Sequence, residues 1–252
     1  MTVQEIFELL NAFAPVERAE EYDNPGLLVG DGGAEVRRIL VALDPSMRVV
    51  EEARERGADI IVTHHPFPFT GMKRFVCGDP AADKLSLLLK SGISLIAMHT
   101  NLDRAAGGVN DALAETLGLN GIAPAEESGL IRKGELGESI APEEFCREVK
   151  AKLCAPGVRA VCGSRPIRRV WVGGGSCSEF LAAAVRGGAD AFVTADCRHH
   201  AFLDAEEWGI TLVDAGHFAT EAVVLPRLRK LLAPSGAEIL ASESDRDPVI
   251  HF

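Results

Sequence analysis

The alternation of short apolar runs with amphipathic stretches most constrains the fold of this chain. The runs have the length and the branched aliphatic content of buried strands, and helical patterns lie between them. Chains that alternate strands with helices in this way form α/β folds, in which helices cover the faces of a sheet. We therefore predict an α/β fold with mixed sheets flanked by helices, and the main predicted strands are 36–43, 59–63, 93–98, 189–194 and 210–215.

One local unit occurs twice, which indicates two similar halves. RERGADIIVTHHP (54–66) resembles RGGADAFVTADCRHH (186–200), and each leads from a helix end through Gly and Ala-Asp into a strand. General βα connections can produce the same likeness. The stretch 120–140 is rich in Gly, Glu and Ala and is the best boundary candidate. We predict a first α/β lobe over 1–125 and a second over 126–252, whose last helix and strand could pack back on the first.

Composition excludes several classes of function. The net charge of −11 disfavours broad neutralisation of nucleic-acid phosphates and binding to anionic membranes. No apolar run reaches membrane-spanning length, and the acidic, amphipathic N-terminus is unlike a signal peptide. The six cysteines form no CxxC pair, which is typical of reduced thiols. We expect a cytoplasmic protein with a small-molecule substrate.

Side chains that bind metals directly follow three apolar runs. The clusters are THHP (63–66), HTNLD (99–103) and DAGHFATE (214–221). Open α/β sheets bind ligands beyond the carboxyl ends of their strands, so the clusters could converge. Imidazole and carboxylate together suit Zn²⁺, Fe²⁺ or Mn²⁺. The predicted metal ligands are His64, His65, Asp103, His217 and Glu221.

Each cluster also has a plain structural explanation. The two adjacent histidines could be an ordinary core or surface pair, and Asp103 could cap a helix. His217 and Glu221 are four residues apart, so on a helix they share a face and could form a surface hydrogen bond. The combination of all three clusters favours metal binding over these separate explanations.

Other polar residues near these clusters are candidates for supporting roles. His99 could orient Asp103 or act on the substrate as a general acid or base, and His200 is a second candidate catalytic residue. Ordinary helix-surface positions are the alternative for His199 and His200. The residues predicted to support the ligands or contact the substrate are Asn101, Asp196, His199 and Asp214. GGGS (173–176) could cradle a phosphate, but a tight strand-to-helix turn is the favoured interpretation.

Four motifs closely resemble the GTP cyclohydrolase 1 type 2 homologues, also known as NGG-one-interacting-factor-three-like or dinuclear metal centre proteins. They are EYDNPGLLVG (21–30), THHP, HTNLD and TADCRHHAFLDAEEWGITLVDAGHFATE (194–221). The resemblance implies two α/β lobes with two divalent metal ions in the cleft between them. It places the ligands on the same five residues and implies a hexameric assembly. Tyr22, Pro25 and Ala195 depart from the family pattern without touching a proposed ligand.

Two functions of different classes remain open from the sequence. The resemblance implies a dinuclear metal-dependent hydrolase that acts on a nucleotide or a related substrate. The alternative is a non-enzymatic metal-binding scaffold or interaction protein. A nucleotide-binding regulator, which would depend on GGGS, is a third and weaker option. The identity of the metal, Zn, Fe or Mn, is not fixed by these ligand types.

Overall fold

Two β-sheets flanked by helices make up the protein, as seen in a computed structural model that describes residues 1–251. This confirms the predicted mixed α/β class. The chain forms two compact units. The first unit comprises Met1–Ala105 and Leu225–Arg246, and the second comprises Ala106–Val224 and the described residues after Arg246.

The helices are α1 (Val3–Phe13), α2 (Met47–Glu55), α3 (Pro80–Ser91), α4 (Thr100–Arg104), α5 (Val109–Thr116), α6 (Pro142–Lys152), α7 (Leu181–Arg186), α8 (His199–Trp208), α9 (His217–Glu221) and α10 (Leu225–Leu232). The strands are β1 (Gly26–Val29), β2 (Arg38–Ala42), β3 (Ile60–Thr63), β4 (Ser94–Ala97), β5 (Asn120–Pro124), β6 (Arg132–Ile140), β7 (Arg159–Val161), β8 (Ile167–Val172), β9 (Ala191–Thr194), β10 (Thr211–Asp214) and β11 (Glu238–Ala241). No described helix combines the length and the apolar character that crossing a bilayer requires.

The first unit contains a five-stranded sheet with the order β1-β4-β3-β2-β11. The neighbours from β4 to β11 are parallel, and β1 runs antiparallel to β4. Residues of β3 are buried on both faces, which explains its unbroken apolar run. Helices α2 and α3 pack on one face through residues such as Val50 and Leu88. The sheet therefore presents the carboxyl ends of β2, β3 and β4 at one edge.

The second unit contains a six-stranded sheet with the order β5-β6-β8-β9-β10-β7. Its central strands β8, β9 and β10 are parallel, and β5, β6 and β7 pair antiparallel with their neighbours. Alternate residues enter two apolar cores: Val170 and Val193 pack with α5 and α6, whereas Trp171 and Phe192 pack with α7 and α8. This period of two is the expected consequence of the pleat.

The boundary between the units differs from the expected position near residue 125. Strand β5 pairs with β6 of the second sheet, so the chain from Ala106 onward belongs to the second unit. Helix α10 and strand β11 belong to the first unit, where β11 pairs in parallel with β2. After β10 the chain forms α9, a 3-10 turn at Ala222–Val224, and α10.

Local sequence signals explain where the helices begin and end. The Asp79 side chain caps α3 by accepting the backbone N–H groups of Ala81 and Ala82, and Pro80 occupies the first turn. Gly92 ends the same helix in the left-handed conformation, with a φ of 65°. The next strand starts directly after this cap, so the helix end sets the position of β4.

A buried carboxylate fastens the chain after β11 to helix α2. Glu52 is 7% exposed and accepts the backbone N–H groups of Glu243 and Ser244 at 2.9 Å each. The Ser242 hydroxyl and the Arg56 guanidinium also donate to it, at 2.5 and 2.6 Å. Burial alone would raise the pKa of Glu52, but these four donors outweigh it and lower the pKa to about 2.

Replacing Glu52 with Gln should therefore change both the stability and its pH dependence. The pKa in the folded state lies below the unfolded value of about 4.3. The carboxylate thus stabilises the fold above that pH, and the contribution is lost as the pH falls towards 2. We expect Glu52→Gln to lower the free energy of unfolding at pH 7 by about 2 kcal/mol. Denaturant unfolding between pH 2 and pH 7 measures this, with the exposed Glu55→Gln as control; equal acid sensitivity of wild type and Glu52→Gln would refute it.

Candidate metal centre

His64 lies at the end of β3 and is completely buried. Its Nδ1 is 2.8 Å from the backbone oxygen of Met98. A carbonyl oxygen only accepts hydrogen bonds, so Nδ1 carries a proton, and in the neutral ring Nε2 then carries the lone pair. This tautomer is the one that can bind a metal through Nε2. The Oδ1 atom of Asp103 lies 3.8 Å from His64 Nε2.

His65 and His99 are held in the same manner, but by carboxylates. His65 Nδ1 is 2.8 Å from Asp44 Oδ1, and His99 Nδ1 is 2.7 Å from Asp23 Oδ1. An ionised carboxylate accepts the Nδ1 proton and directs the lone pair of Nε2 away from itself. Metal-binding histidines are commonly oriented by such a partner on their second nitrogen.

The carboxylate of Asp23 is well suited to this task. Burial would raise its pKa, but hydrogen bonds from His99, Thr100 and the backbone of Asn24 lower the pKa to about 2. The Thr100 backbone N–H donates to Asp23 Oδ2 at 3.0 Å, and the Thr100 hydroxyl donates to the same oxygen. Asp23 is therefore ionised near neutral pH and acts as an acceptor for His99.

The three histidines of the first unit form one group. The ring centroids of His64 and His65 are 4.9 Å apart, and that of His99 lies 5.1 and 5.5 Å from them. Their potential ligand atoms all lie within 4.8 Å of one another. The ring of Phe69 meets His99 edge-on, with centroids 6.0 Å apart. His99, which the sequence indicated as catalytic, is thus also placed where it could bind a metal.

Asn101, a predicted supporting residue, is completely buried beside this group. Its Oδ1 accepts the backbone N–H of His99 at 2.8 Å, and its Nδ2 donates to the backbone oxygen of Ala14 at 2.7 Å. Asn101 therefore fixes the backbone from which the His99 ring projects.

The second unit contains a histidine–carboxylate pair on the short helix α9. His217 Nε2 is 3.1 Å from Glu221 Oε2, and Glu221 is only 3% exposed. His217 Nδ1 is 2.6 Å from Asp196 Oδ2, so this ring is also oriented by a carboxylate. Asp196 has a φ of 52°, a conformation that is uncommon for a residue with a side chain. It follows Ala195 at the end of β9, where the sequence departs from the family motif.

The GGGS turn passes directly beside this pair and is not a phosphate cradle. The N–H of Gly173 donates to the backbone oxygen of Val193, that of Gly174 to Asn110 Oδ1, and that of Gly175 to Thr220 Oγ1. These amides are therefore engaged within the protein. This turn gives no support to the nucleotide-binding regulator that was the third option from the sequence.

Gly175 has no side chain, and the side chains of His217 and Glu221 occupy the space that a larger residue would fill. A Cβ atom at this position would lie 2.2 Å from Glu221 Oε1 and 3.1 Å from His217 Nε2. The φ of Gly175 is 62°, which also favours glycine. The turn thus packs backbone against the proposed ligands, at a distance that no other residue allows.

The remaining predicted residues lie around α8 and β10. His199 and His200 begin α8 and are exposed, with ring centroids 6.2 Å apart. His200 lines a pocket of about 390 Å³ together with Asp196 and Trp208. Asp214 is buried and accepts backbone N–H groups from the loops after β9 and β10. It supports those loops through hydrogen bonds.

The donor chemistry in both units fits a divalent metal ion. The first unit supplies three imidazoles and the Asp103 carboxylate, and the second supplies the imidazole of His217 and the Glu221 carboxylate. Every one of these four imidazoles has an acceptor on Nδ1. Histidine and carboxylate ligands in such numbers suit zinc, iron or manganese.

These features define the class as a two-sheet α/β protein with side chains that could bind divalent metals at its strand ends. The chain belongs to the Duf34/NIF3 (NGG1p interacting factor 3) family, whose model matches residues 1–248. This confirms the family that the motifs predicted.

Named relatives and solved structures agree with this assignment. A Clostridium perfringens protein named GTP cyclohydrolase 1 type 2 homolog is 33% identical, and the match covers 98% of each chain. A Methanocaldococcus jannaschii protein of the same name is 34% identical over 92% of this chain and 95% of the relative. A hypothetical protein from Staphylococcus aureus superimposes with a TM-score of 0.93 at 31% identity, covering 100% of this chain and 99% of the other. Reduced HcgD from M. jannaschii has a TM-score of 0.84 at 32% identity, covering 96% and 98%.

Proposed function

We propose that this protein is a metal-dependent hydrolase with a dinuclear centre. The observation that carries the proposal is the orientation of the imidazoles, because each has an acceptor on Nδ1, the arrangement that is common among histidines that bind a metal through Nε2. The proposal that two ions share a single centre comes from the family resemblance. The proposed ligands are His64, His65, Asp103, His217 and Glu221.

Residues of this chain would bind and activate the substrate around those ligands. Divalent ions in such a centre polarise a substrate oxygen and lower the pKa of water. His99 is the proposed general acid or base, because its ring lies beside His64 and His65 and its Nδ1 is held by an ionised Asp23. His200 is the second candidate, because it lines the pocket beside Asp196.

The names of the relatives support a nucleotide or a related compound as substrate. Relatives at 33% and 34% identity are named GTP cyclohydrolase 1 type 2 homolog. Opening of a purine ring and cleavage of a phosphoester are both hydrolyses that a two-metal centre can promote. The predicted hexamer and the predicted cytoplasmic location rest on the resemblance and the composition, and they stay predictions.

A non-enzymatic metal-binding or interaction protein is the second candidate function. The family description, NGG1p interacting factor 3, favours it because that description refers to the binding of a partner. The same ligands would then hold metal without turnover. Only a measurement of turnover separates the two candidates.

Removal of one ligand in either unit should lower the metal content. We expect wild-type protein loaded with Zn²⁺ or Mn²⁺ to retain about two ions per chain, the number of a dinuclear centre. His64→Asn and Glu221→Gln should each lose at least one of them, because a ligand atom is missing. Elemental analysis after dialysis measures this. His251→Asn, which changes the histidine nearest the C-terminus, is the control. Full metal content in both ligand variants would exclude the proposed centre.

Turnover of GTP, other nucleotides and phosphoesters by the metal-loaded protein then decides between the two functions. Hydrolysis that disappears in Glu221→Gln supports the enzyme. Retention of metal without turnover of any of these substrates supports the binding protein.

Gly175→Ala should disturb the proposed ligands more than it disturbs the fold. Its new Cβ would displace the Glu221 carboxylate, which can move because it ends a flexible side chain. Gly121→Ala is the matched control, because Gly121 has a φ of 63° in the same unit and no atom within 4 Å of its Cβ position. Both variants should lose about 1–2 kcal/mol of stability through the left-handed backbone. Only Gly175→Ala should lose metal affinity, measured by calorimetric titration, and equal affinities of the two variants would contradict the assignment.

A further inference from the structure

One buried carboxylate ties together the two loops that carry Asp196 and His217. Asp214, at the end of β10, accepts the backbone N–H of Cys197 through Oδ2 at 3.0 Å. Its Oδ1 accepts the backbone N–H of Gly216 at 3.2 Å. Cys197 follows Asp196 and Gly216 precedes His217. The side chain of Asp214 therefore sets the spacing between the two residues whose hydrogen bond orients the His217 ring.

Arg159 completes this connection from the edge strand β7. The register of the sheet places Arg159 opposite Asp214. Its Nη2 donates to Asp214 Oδ2 and, at 3.1 Å, to the backbone oxygen of Cys197. Cys197 is thus held at its N–H by Asp214 and at its carbonyl by Arg159. The guanidinium also lies over the ring of Phe202, 5.2 Å from its centroid, which limits the orientations available to it.

We propose that Arg159 is a positioning residue for the His217 ligand pair. It pairs with the buried Asp214, and Asp214 holds the two loops at the separation at which Asp196 Oδ2 lies 2.6 Å from His217 Nδ1. That hydrogen bond holds a proton on Nδ1 and fixes the orientation of the ring, whose Nε2 lies 3.1 Å from Glu221 Oε2. The inference rests on the proposed metal-binding function and adds to it a residue that touches neither metal nor substrate.

Loss of the Arg159 guanidinium should loosen the loops without unfolding the unit. The Asp214 side chain is 6% exposed, so it would remain as a buried charge that lacks its cationic partner. The Arg159 side chain is 64% exposed, so a smaller residue can replace it without opening a cavity. Groups that orient a ligand typically change metal affinity by 10–100-fold. We therefore expect Arg159→Gln to weaken binding of Co²⁺ about tenfold, and Arg159→Lys to weaken it less because the charge is kept.

The same sheet offers a matched control at the opposite ends of its strands. Arg169 pairs with Asp190, and their side chains are 51% and 9% exposed. Asp190 also accepts two backbone N–H groups, those of Arg168 and Arg169, at 3.2 and 2.8 Å. Asp190 precedes β9, whereas Asp196 follows β9. Arg169→Gln removes the same kind of ion pair far along the strand from the ligands, so it should change Co²⁺ affinity less than twofold.

The test is a titration of the wild-type protein and the three variants with Co²⁺, followed by visible absorption. A second readout on metal-free protein is the Nδ1 chemical shift of the His217 ring, which reports whether this nitrogen carries a proton that it donates to Asp196. Wild type and Arg169→Gln should show protonated Nδ1, and Arg159→Gln should show Nδ1 protonated in only part of the molecules. A tenfold loss of affinity in Arg159→Gln alone supports the inference.

Two results would overturn the positioning role. One is a Co²⁺ affinity and a protonation of His217 Nδ1 that are both unchanged in Arg159→Gln. The other is an equal loss of affinity in Arg159→Gln and Arg169→Gln, which would indicate general destabilisation. If wild-type protein bound no Co²⁺, the proposed metal function would fail, and the ring measurement on metal-free protein would still decide whether Arg159 orients His217.

Discussion

The hydrogen bond at Nδ1 of each candidate histidine is the interaction on which the rest of the site depends. His64 donates to a backbone oxygen, whereas His65 and His217 are paired with carboxylates. Each bond does two things at once: it fixes the ring, and it holds a proton on Nδ1, so that Nε2 is the nitrogen through which the ring could bind a metal. Free imidazoles on mobile side chains would provide neither. The acceptors are therefore as much a part of the proposed centre as the ligands.

The sheets provide the rigidity that these hydrogen bonds require. His64 follows β3, Asp196 follows β9, and His217 follows β10, so each residue projects from the end of a buried parallel strand. The backbone itself then adapts to the side chains, most clearly at Gly175, where a Cβ would collide with Glu221. In the second unit, Arg159 connects the edge strand to both loops. Core packing, turn geometry and hydrogen bonding thus act on the same side chains.

Much of this arrangement could be predicted from the sequence, because apolar runs mark buried strands and ligand-type residues follow them. Each proposed ligand could be recognised from its residue type and its position after a predicted strand, without knowing which distant residues lie near it. Asp23 and Asp44 were not identified, because they lie 76 and 21 residues from the histidines they orient and no local pattern links them. Strand β6 was not predicted, because Arg132–Ile140 has few apolar residues and most of its residues are exposed. The boundary between the units was expected near residue 125, whereas the second unit begins at Ala106. Composition does not show that β5 pairs with β6, so it could not assign β5 to the second unit.

The most direct test of this account is the position of the metal relative to the imidazole nitrogens. Anomalous diffraction from crystals of the zinc-loaded protein locates the ions independently of any assumption about the ligands. The account predicts an ion about 2.0–2.1 Å from Nε2 of His64 and an ion at the same distance from Nε2 of His217. Zinc bound through Nδ1 of these residues, or zinc bound at neither of them, would contradict it.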